Sequence, residues 1–224
     1  MEPSFEYRVE DGVAVLTFDI KGESVNTLSP EIGREFTAAL DRAMSAPEVK
    51  AVVFTSGKKD SFIVGAKIDF LETIKSREEA EAASRSGQEG FNQLAASKKP
   101  VVAAIHGNCL GGGLEWTLAC HYRIASDSPK TQLGLPETQL GLLPGAGGTQ
   151  RLPRLIGAQA ALDMILAAKS VKPSKARKLG LVDEVVPRPI LLEAARRRAL
   201  ELADGTLRPE RPAELAASGQ AVKT

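Results

Sequence analysis

Residues 105–115, Ile-His-Gly-Asn-Cys-Leu-Gly-Gly-Gly-Leu-Glu, constrain this chain more than any other stretch. A short apolar run, residues 101–105, leads into a glycine cluster, and a helical pattern starts behind it. Glycine lets a backbone approach a ligand closely. A helix N-terminus presents unpaired N–H groups and a partial positive charge. Together they suit a developing anion, and Glu115 then falls in the first helical turn, facing the same space. The same residues also suit a tight turn with close strand–helix packing, and taken alone they leave both readings open. No Gly-Lys-Ser/Thr follows, so this is not a nucleotide-hydrolase phosphate loop.

The flanking pattern predicts alternating strands and helices. Residues 5–9 and 13–18 form two strands joined by Asp11-Gly12, a hairpin signal. Ser29 and Pro30 open a helix as N-cap and first residue, with Ile32, Phe36, Ala39, Leu40 and Ala43 on one face. Residues 51–54, 101–105 and 122–125 are apolar runs typical of strands buried on both faces. Residues 57–60 form a polar turn. Helices are expected over 77–96, 158–168, 174–179 and 190–203, with a short extended piece over 182–186. The result is an α/β architecture with one sheet covered by helices. At 224 residues the chain can bury a large single core, although two small domains remain possible. After Asp204-Gly205, Pro209, Pro212 and small residues read as a linker or tail.

Bulk properties narrow the classes. The formal net charge is +1, which gives no argument for nucleic acid or an anionic membrane. Two cysteines, Cys109 and Cys120, fit a reduced, cytoplasmic setting better than a disulfide scaffold. The N-terminus lacks the pattern of a signal peptide, and no stretch approaches the roughly 18 apolar residues that span a bilayer. Two His and two Cys without metal-ligand spacing give no zinc site. His106 reads as a satisfied strand-end histidine, His121 as a surface residue and Trp116 as core or pocket wall. Cys109 has no evident histidine partner for nucleophilic work. Ser56 and Lys59 match a four-residue serine-enzyme pattern by chance.

A second segment, residues 135–152, reads Leu-Pro-Glu-Thr-Gln-Leu-Gly-Leu-Leu-Pro-Gly-Ala-Gly-Gly-Thr-Gln-Arg-Leu. It puts Glu137 in a mostly apolar run. Apolar surroundings disfavour the charged carboxylate, so such a group can hold a proton near neutral pH. Two carboxylates in different environments can divide acid and base roles. Glu137 also fits an ordinary turn. The dinucleotide fingerprint suggested by Gly145-Ala146-Gly147 fails at Gln150, where glycine is required.

With Phe62-Ile63-Val64-Gly65-Ala66, these two segments make the chain resemble the crotonase family, from the N-terminal hairpin to Val186. The resemblance implies a spiral of ββα units, ClpP-like, with sheet layers covered by helices. Members that keep both glutamates are typically 2-enoyl-CoA hydratases. The resemblance therefore implies addition of water across 2-trans-enoyl-CoA to give 3-hydroxyacyl-CoA in fatty acid β-oxidation. It makes Ala66 and Gly112 the oxyanion-hole N–H donors, worth roughly 3–4 kcal/mol each in comparable sites. It makes Glu115 the activator of water and Glu137 the proton donor, two groups that titrate as a pair.

The substrate contacts implied by the family are Ser24, Val25, Asn26, Leu28, Gly65, Ala66, Lys67, Ile68, Gly111, Gly112, Pro136 and Gly145. Lys58, Lys59, Lys98 and Lys99 are candidates for CoA phosphates, although each reads first as a solvated surface charge. Lys67 stands where many relatives have Asp. No metal is implied, and no cofactor beyond the CoA of the substrate. Residues 161–166 and 179–186 resemble the hydratase part of multifunctional fatty acid oxidation α-subunits. That likeness implies a hydratase domain over residues 1–203 and a Pro-rich tail, linker or truncation over 204–224. In such a setting a dehydrogenase domain and a thiolase partner are expected. A lone crotonase would instead be a trimer or paired trimers. Alternatives are isomerisation of 3-enoyl-CoA, which needs one proton-shuttling base, and RNA binding, which lacks a basic helix face here.

Overall fold

The computed structural model describes residues 3–209. The chain opens with β1 (Phe5–Glu10) and β2 (Val13–Phe18), paired antiparallel. Asp11 and Gly12 both take positive φ, 49° and 81°, as a two-residue hairpin turn requires. Helix α1 (Pro30–Ser45) follows, with the Ser29 hydroxyl accepting the Ile32 N–H, and it buries Ile32, Phe36, Leu40 and Ala43. Next come β3 (Ala51–Ser56), β4 (Ser61–Ile63), α2 (Ile68–Thr73) and α3 (Arg77–Ala95). Helix α3 starts at a reciprocal capping box between Ser76 and Glu79. Then follow β5 (Val101–Ile105), β6 (Asn108–Leu110), α4 (Gly112–Ala119), β7 (Tyr122–Ser126) and β8 (Gln132–Gly134). A 3₁₀ turn, Glu137–Leu140, leads to α5 (Gly148–Ile156), α6 (Ala158–Ile165), α7 (Pro173–Leu179), β9 (Glu184–Val186) and α8 (Leu191–Ala203).

Two sheets form where the sequence pattern predicts one. The larger has the order β1-β2-β3-β5-β7-β9, parallel beyond the first pair, and the smaller is β4-β6-β8, all parallel. In each pair β3–β4, β5–β6 and β7–β8 the first strand joins the large sheet and the second the small one. Helices follow each pair, so ββα units stack as a spiral. The stacking is tight at Gly107, between β5 and β6: its φ is +66°, and a Cβ there would lie 2.1 Å from the Asp60 carbonyl. Asp60 occupies the equivalent corner of the preceding unit.

Alternation along the large sheet makes two cores. Leu16, Phe18, Phe54, Ala103 and Ile105 face α1 and α4, while Val15, Val53, Val102 and Ala104 face α8. Trp116 of α4 stacks on Phe54, centroids 4.8 Å apart, and meets Phe36 edge-on at 4.3 Å. The C-terminal end of α4 is tied down by buried Arg123, which donates to the carbonyls of Cys120, Thr117 and Leu181 and pairs with Asp183 at 3.2 Å. Residues 204–207 turn back onto α8, with the Leu207 N–H on the Glu201 carbonyl. The expected tail over 204–224 otherwise falls largely on residues 210–224, outside the described ones. Among the described residues no helix is long and apolar enough to cross a membrane.

Candidate active site

One cavity of about 1600 Å³ opens between α1, α3, the N-terminus of α4 and the 3₁₀ turn. Glu115 and Glu137 both line it. Glu115 is 3% exposed, and its Oε1 accepts the N–H groups of Ala146 and Gly148 at 2.8 and 2.7 Å. Its Oε2 lies beside Gly112, 3.9 Å from where a Cβ on that glycine would stand. Burial pushes the Glu115 pKa up, while the two N–H groups and the Arg151 charge pull it down.

Glu137 sits at the start of the 3₁₀ turn, across the Gly111–Gly112 backbone. A Cβ on Gly111 would come within 3.3 Å of Glu137 Oε1. Its Oε2 is buried and has no hydrogen-bond partner in the protein. Burial is the main cause that pushes its pKa up to about 7, and the neighbouring Glu115 charge adds to it. Two carboxylates thus flank one stretch of glycine backbone.

That stretch is also where backbone donors converge. Gly112 is the first residue of α4, so its N–H has no acceptor within the helix. Ala66 makes a parallel bridge to Leu28 through the Leu28 N–H to Gly65 O and the Lys67 N–H to Leu28 O, both 2.8 Å, and neither bond uses the Ala66 N–H. The two segments touch backbone to backbone, since a Cβ on Gly111 would be 3.4 Å from the Gly65 Cα. Gly111 has φ +56°, and Gly113 packs so closely on β4 that a Cβ would lie 2.4 Å from the Ile63 carbonyl oxygen. These requirements explain the glycines at 111 and 113.

Of the other expected contact residues, Val25, Leu28, Gly65, Ala66, Lys67, Ile68, Gly111, Gly112, Pro136 and Gly145 line the cavity. Two do not. Ser24 is exposed outside it. Asn26 is fully buried and spends its side chain on the fold: Nδ2 donates to Phe18 O, Ser56 Oγ and Phe62 O, and Oδ1 accepts the Ile20 N–H. Its side chain anchors the strap between β2 and α1. Among the lysines, Lys98 lines the cavity. Lys58 is engaged by Asp19 and by the carbonyls of Ile20 and Glu23, and Lys99 by those of Ala43 and Ala46.

His106 is buried at the end of β5. Its Nε2–H donates to Lys58 O at 2.6 Å, a tautomer fixed by the carbonyl, and Nδ1 has no partner in the protein, so the histidine is half satisfied. His121 is not a free surface residue, because its Nδ1 accepts the Val101 N–H. Trp116 is both core and cavity wall. Sequence reasoning assigned nothing to Gln88, Asn92 and Arg151, which grip the loop that holds Glu115. Gln88 and Asn92 lie one turn apart on α3, but Arg151 is 59 positions beyond Asn92, and no local pattern connects them.

Comparison with known proteins agrees with this geometry. The family profile described as enoyl-CoA hydratase/isomerase matches residues 8–211. The chain is 54% identical over 201 residues to the fatty acid oxidation complex subunit alpha of Shewanella putrefaciens (strain CN-32 / ATCC BAA-453), covering 89% of this chain and 28% of that protein. The subunit from Shewanella baltica (strain OS185) is 53% identical with the same coverage. The chain therefore spans little more than a quarter of these curated relatives. Among solved structures, an enoyl-CoA hydratase from Geobacillus kaustophilus HTA426 superposes with a TM-score of 0.84 at 35% identity, over 91% of this chain and 75% of that one. An enoyl-CoA hydratase from Bacillus anthracis gives 0.81 at 32% identity, over 89% and 76%.

Proposed function

The chain belongs to the enoyl-CoA hydratase/isomerase family, and from that footing we propose that it hydrates 2-trans-enoyl-CoA thioesters to 3-hydroxyacyl-CoA in fatty acid β-oxidation. The observation that carries this reading is the pair Glu115 and Glu137 on either side of the Gly111–Gly112 backbone, both pushed up by burial, with two N–H groups and Arg151 favouring the anion only at Glu115.

In this reading the thioester oxygen receives the Ala66 and Gly112 N–H groups. Ionised Glu115 takes a proton from water as the hydroxide adds to the β-carbon. Electron density moves onto the thioester oxygen, where the two donors stabilise it by roughly 3–4 kcal/mol each. Glu137 then delivers its proton to the α-carbon, and solvent exchange restores the two protonation states. The net change is one water added. CoA enters as part of the substrate and follows the Val25–Leu28 and Gly65–Ile68 backbone, with Lys67 and Lys98 near its phosphates. Double-bond isomerisation needs only one of the two carboxylates, so their pairing favours hydration. The reading takes residues 1–203 as one hydratase unit in the cytoplasm. Its product is a substrate for a 3-hydroxyacyl-CoA dehydrogenase and, after oxidation, for a thiolase.

The test is loss of the conjugated thioester absorbance of crotonyl-CoA. Wild-type protein should consume it, and Glu115→Gln and Glu137→Gln should each reduce turnover by about 10²–10⁴-fold. An inactive wild type, or full activity in either variant, would refute the assignment.

A further inference from the structure

The loop between the 3₁₀ turn and α5 is gripped from outside the cavity. Gln88 of α3 donates Nε2–H to the Gly145 carbonyl at 2.8 Å. Arg151, in the first turns of α5, donates from Nη1 to the Ala146 carbonyl at 3.1 Å and from Nη2 to Asn92 Oδ1 of α3. The fit leaves no slack: Gly147 has φ +107°, and a Cβ there would stand 2.3 Å from Arg151 Nη1. A Cβ on Gly145 would meet Ser84 Oγ at 3.0 Å, and one on Gly87 would meet the Ala146 Cβ at 3.1 Å. The opposite side of this same loop supplies the Ala146 and Gly148 N–H groups to Glu115 Oε1.

We infer that Arg151 is a positioning residue: by bridging the Ala146 carbonyl and Asn92 it fixes the loop that holds Glu115 Oε1 and leaves Oε2 for the reacting water. Its charge adds a second effect. The inference rests on the hydratase reading, because it takes Glu115 as the base. Burial is the largest influence on Glu115 and favours its protonated form. The charged group that acts on it is Arg151 from α5, which favours the anion, and the Glu115 charge in turn raises the pKa of Glu137. The α3 residues packed here, Ser84, Gln88, Phe91 and Asn92, are uncharged, and β4 presents Ile63 to the first turn of α4. Arg151 therefore adds its charge to the two N–H bonds that favour the Glu115 anion against burial, and it does so without lining the cavity.

The experiment is the pH profile of crotonyl-CoA hydration with separate kcat and KM. Arg151→Met should lower kcat on the order of 10²-fold, leave KM within about twofold because no substrate contact is lost, and move the acid limb of kcat/KM up by about one pH unit. Arg151→Lys should restore the limb but only part of kcat. Asn92→Ala keeps the charge and loses the bridge, so kcat should fall with the limb in place. A wild-type limb in Arg151→Met, or a wild-type kcat in Asn92→Ala, would overturn the inference. Should Arg151→Met not fold, Arg151→Lys and Asn92→Ala carry the test by the same criteria. An inactive wild type would sink the hydratase reading instead. Isotope-edited NMR titration of the Glu115 carboxyl then still tests the charge, and an unshifted midpoint in Arg151→Met would overturn it.

Discussion

Gly113→Ala perturbs the point where folding and chemistry share one contact. A Cβ at Gly113 would stand 2.4 Å from the Ile63 carbonyl oxygen and 2.7 Å from the Ile63 Cβ. Favourable non-bonded contacts lie at about 3.5–4.0 Å, so the first turn of α4 must retreat from β4 by about 1 Å. Neither neighbour is a flexible tip that can swing away. Overpacking of this kind costs about 1–3 kcal/mol, and replacing glycine inside a helix returns up to about 1 kcal/mol. The net expectation is a loss of about 1–2 kcal/mol. The rate should suffer more than the fold. The retreating turn carries the Gly112 N–H, and β4 runs directly into Gly65 and Ala66, so the gap that opens lies between the two proposed oxyanion donors. A misplacement of about 1 Å costs on the order of 10²-fold in turnover. Urea unfolding and steady-state hydration of crotonyl-CoA measure the two effects on one sample. Gly90→Ala serves as the control: it lies within α3 with nothing within 4 Å of its added methyl, and should gain about 0.5–1 kcal/mol. A wild-type midpoint in Gly113→Ala would refute the packing argument. A lowered midpoint with unchanged kcat would refute the coupling of that contact to the donors.

Three further outcomes follow from particular groups. Because Glu137 is pushed up to about 7 by burial and by Glu115, kcat/KM for hydration should fall as pH rises through about 7 and its proton is lost; a flat alkaline side would contradict its role as acid. Burial lowers the His106 pKa from 6.5 to about 4. The unfolded chain then binds the proton that the folded one refuses, so stability is full above pH 6.5 and declines as pH falls toward 4. The full gap corresponds to about 3 kcal/mol, and urea midpoints of wild type and His106→Gln should converge or cross over that interval, parallel curves being the adverse result. Asn26→Ala should cost about 2–3 kcal/mol by unpairing buried backbone groups of Phe18, Phe62 and Ile20, and should raise KM through the loosened strap; an unchanged unfolding midpoint would show that the strap is held elsewhere.

What the sequence made legible was local. The hairpin was readable because Asp11-Gly12 sits between alternating strands, and α1 because Ser29 and Pro30 mark its start. The small sheet was not, since β4, β6 and β8 have three residues each and cannot show a period. Helix α5 was hidden by its glycine-rich entry and by Pro153 inside it. The two glutamates were readable as parts of motifs, but their closeness is a property of the spiral, which brings residues 22 positions apart to either side of Gly111–Gly112. Asn26 came into view only through the family resemblance, as a substrate contact; that its amide is buried and holds the strap depends on Phe18, Ser56 and Phe62, which no local pattern links to it. The grip of Arg151, Gln88 and Asn92 joins residues about 60 positions apart, a separation no local pattern spans.

The same residue type serves in two ways here because the backbone gives the two carboxylates different partners. Glu115 stands in the first turn of a helix, where the partial positive charge favours an anion, and it receives two N–H bonds and the influence of Arg151. Glu137 has a buried oxygen with no protein partner and feels the charge of Glu115. In a coupled pair the ionisation of one member raises the pKa of the other. The partners of Glu115 therefore favour its anion, while the surroundings of Glu137 favour its protonated form. In the hydratase reading that is the arrangement water addition requires, with a base facing the nucleophile and an acid facing the α-carbon. Turnover inverts it, leaving Glu115 protonated and Glu137 ionised, which is the state that dehydration would start from. The asymmetry of partners thus drives the proton back to Glu137 through solvent, and resets the site for the next addition.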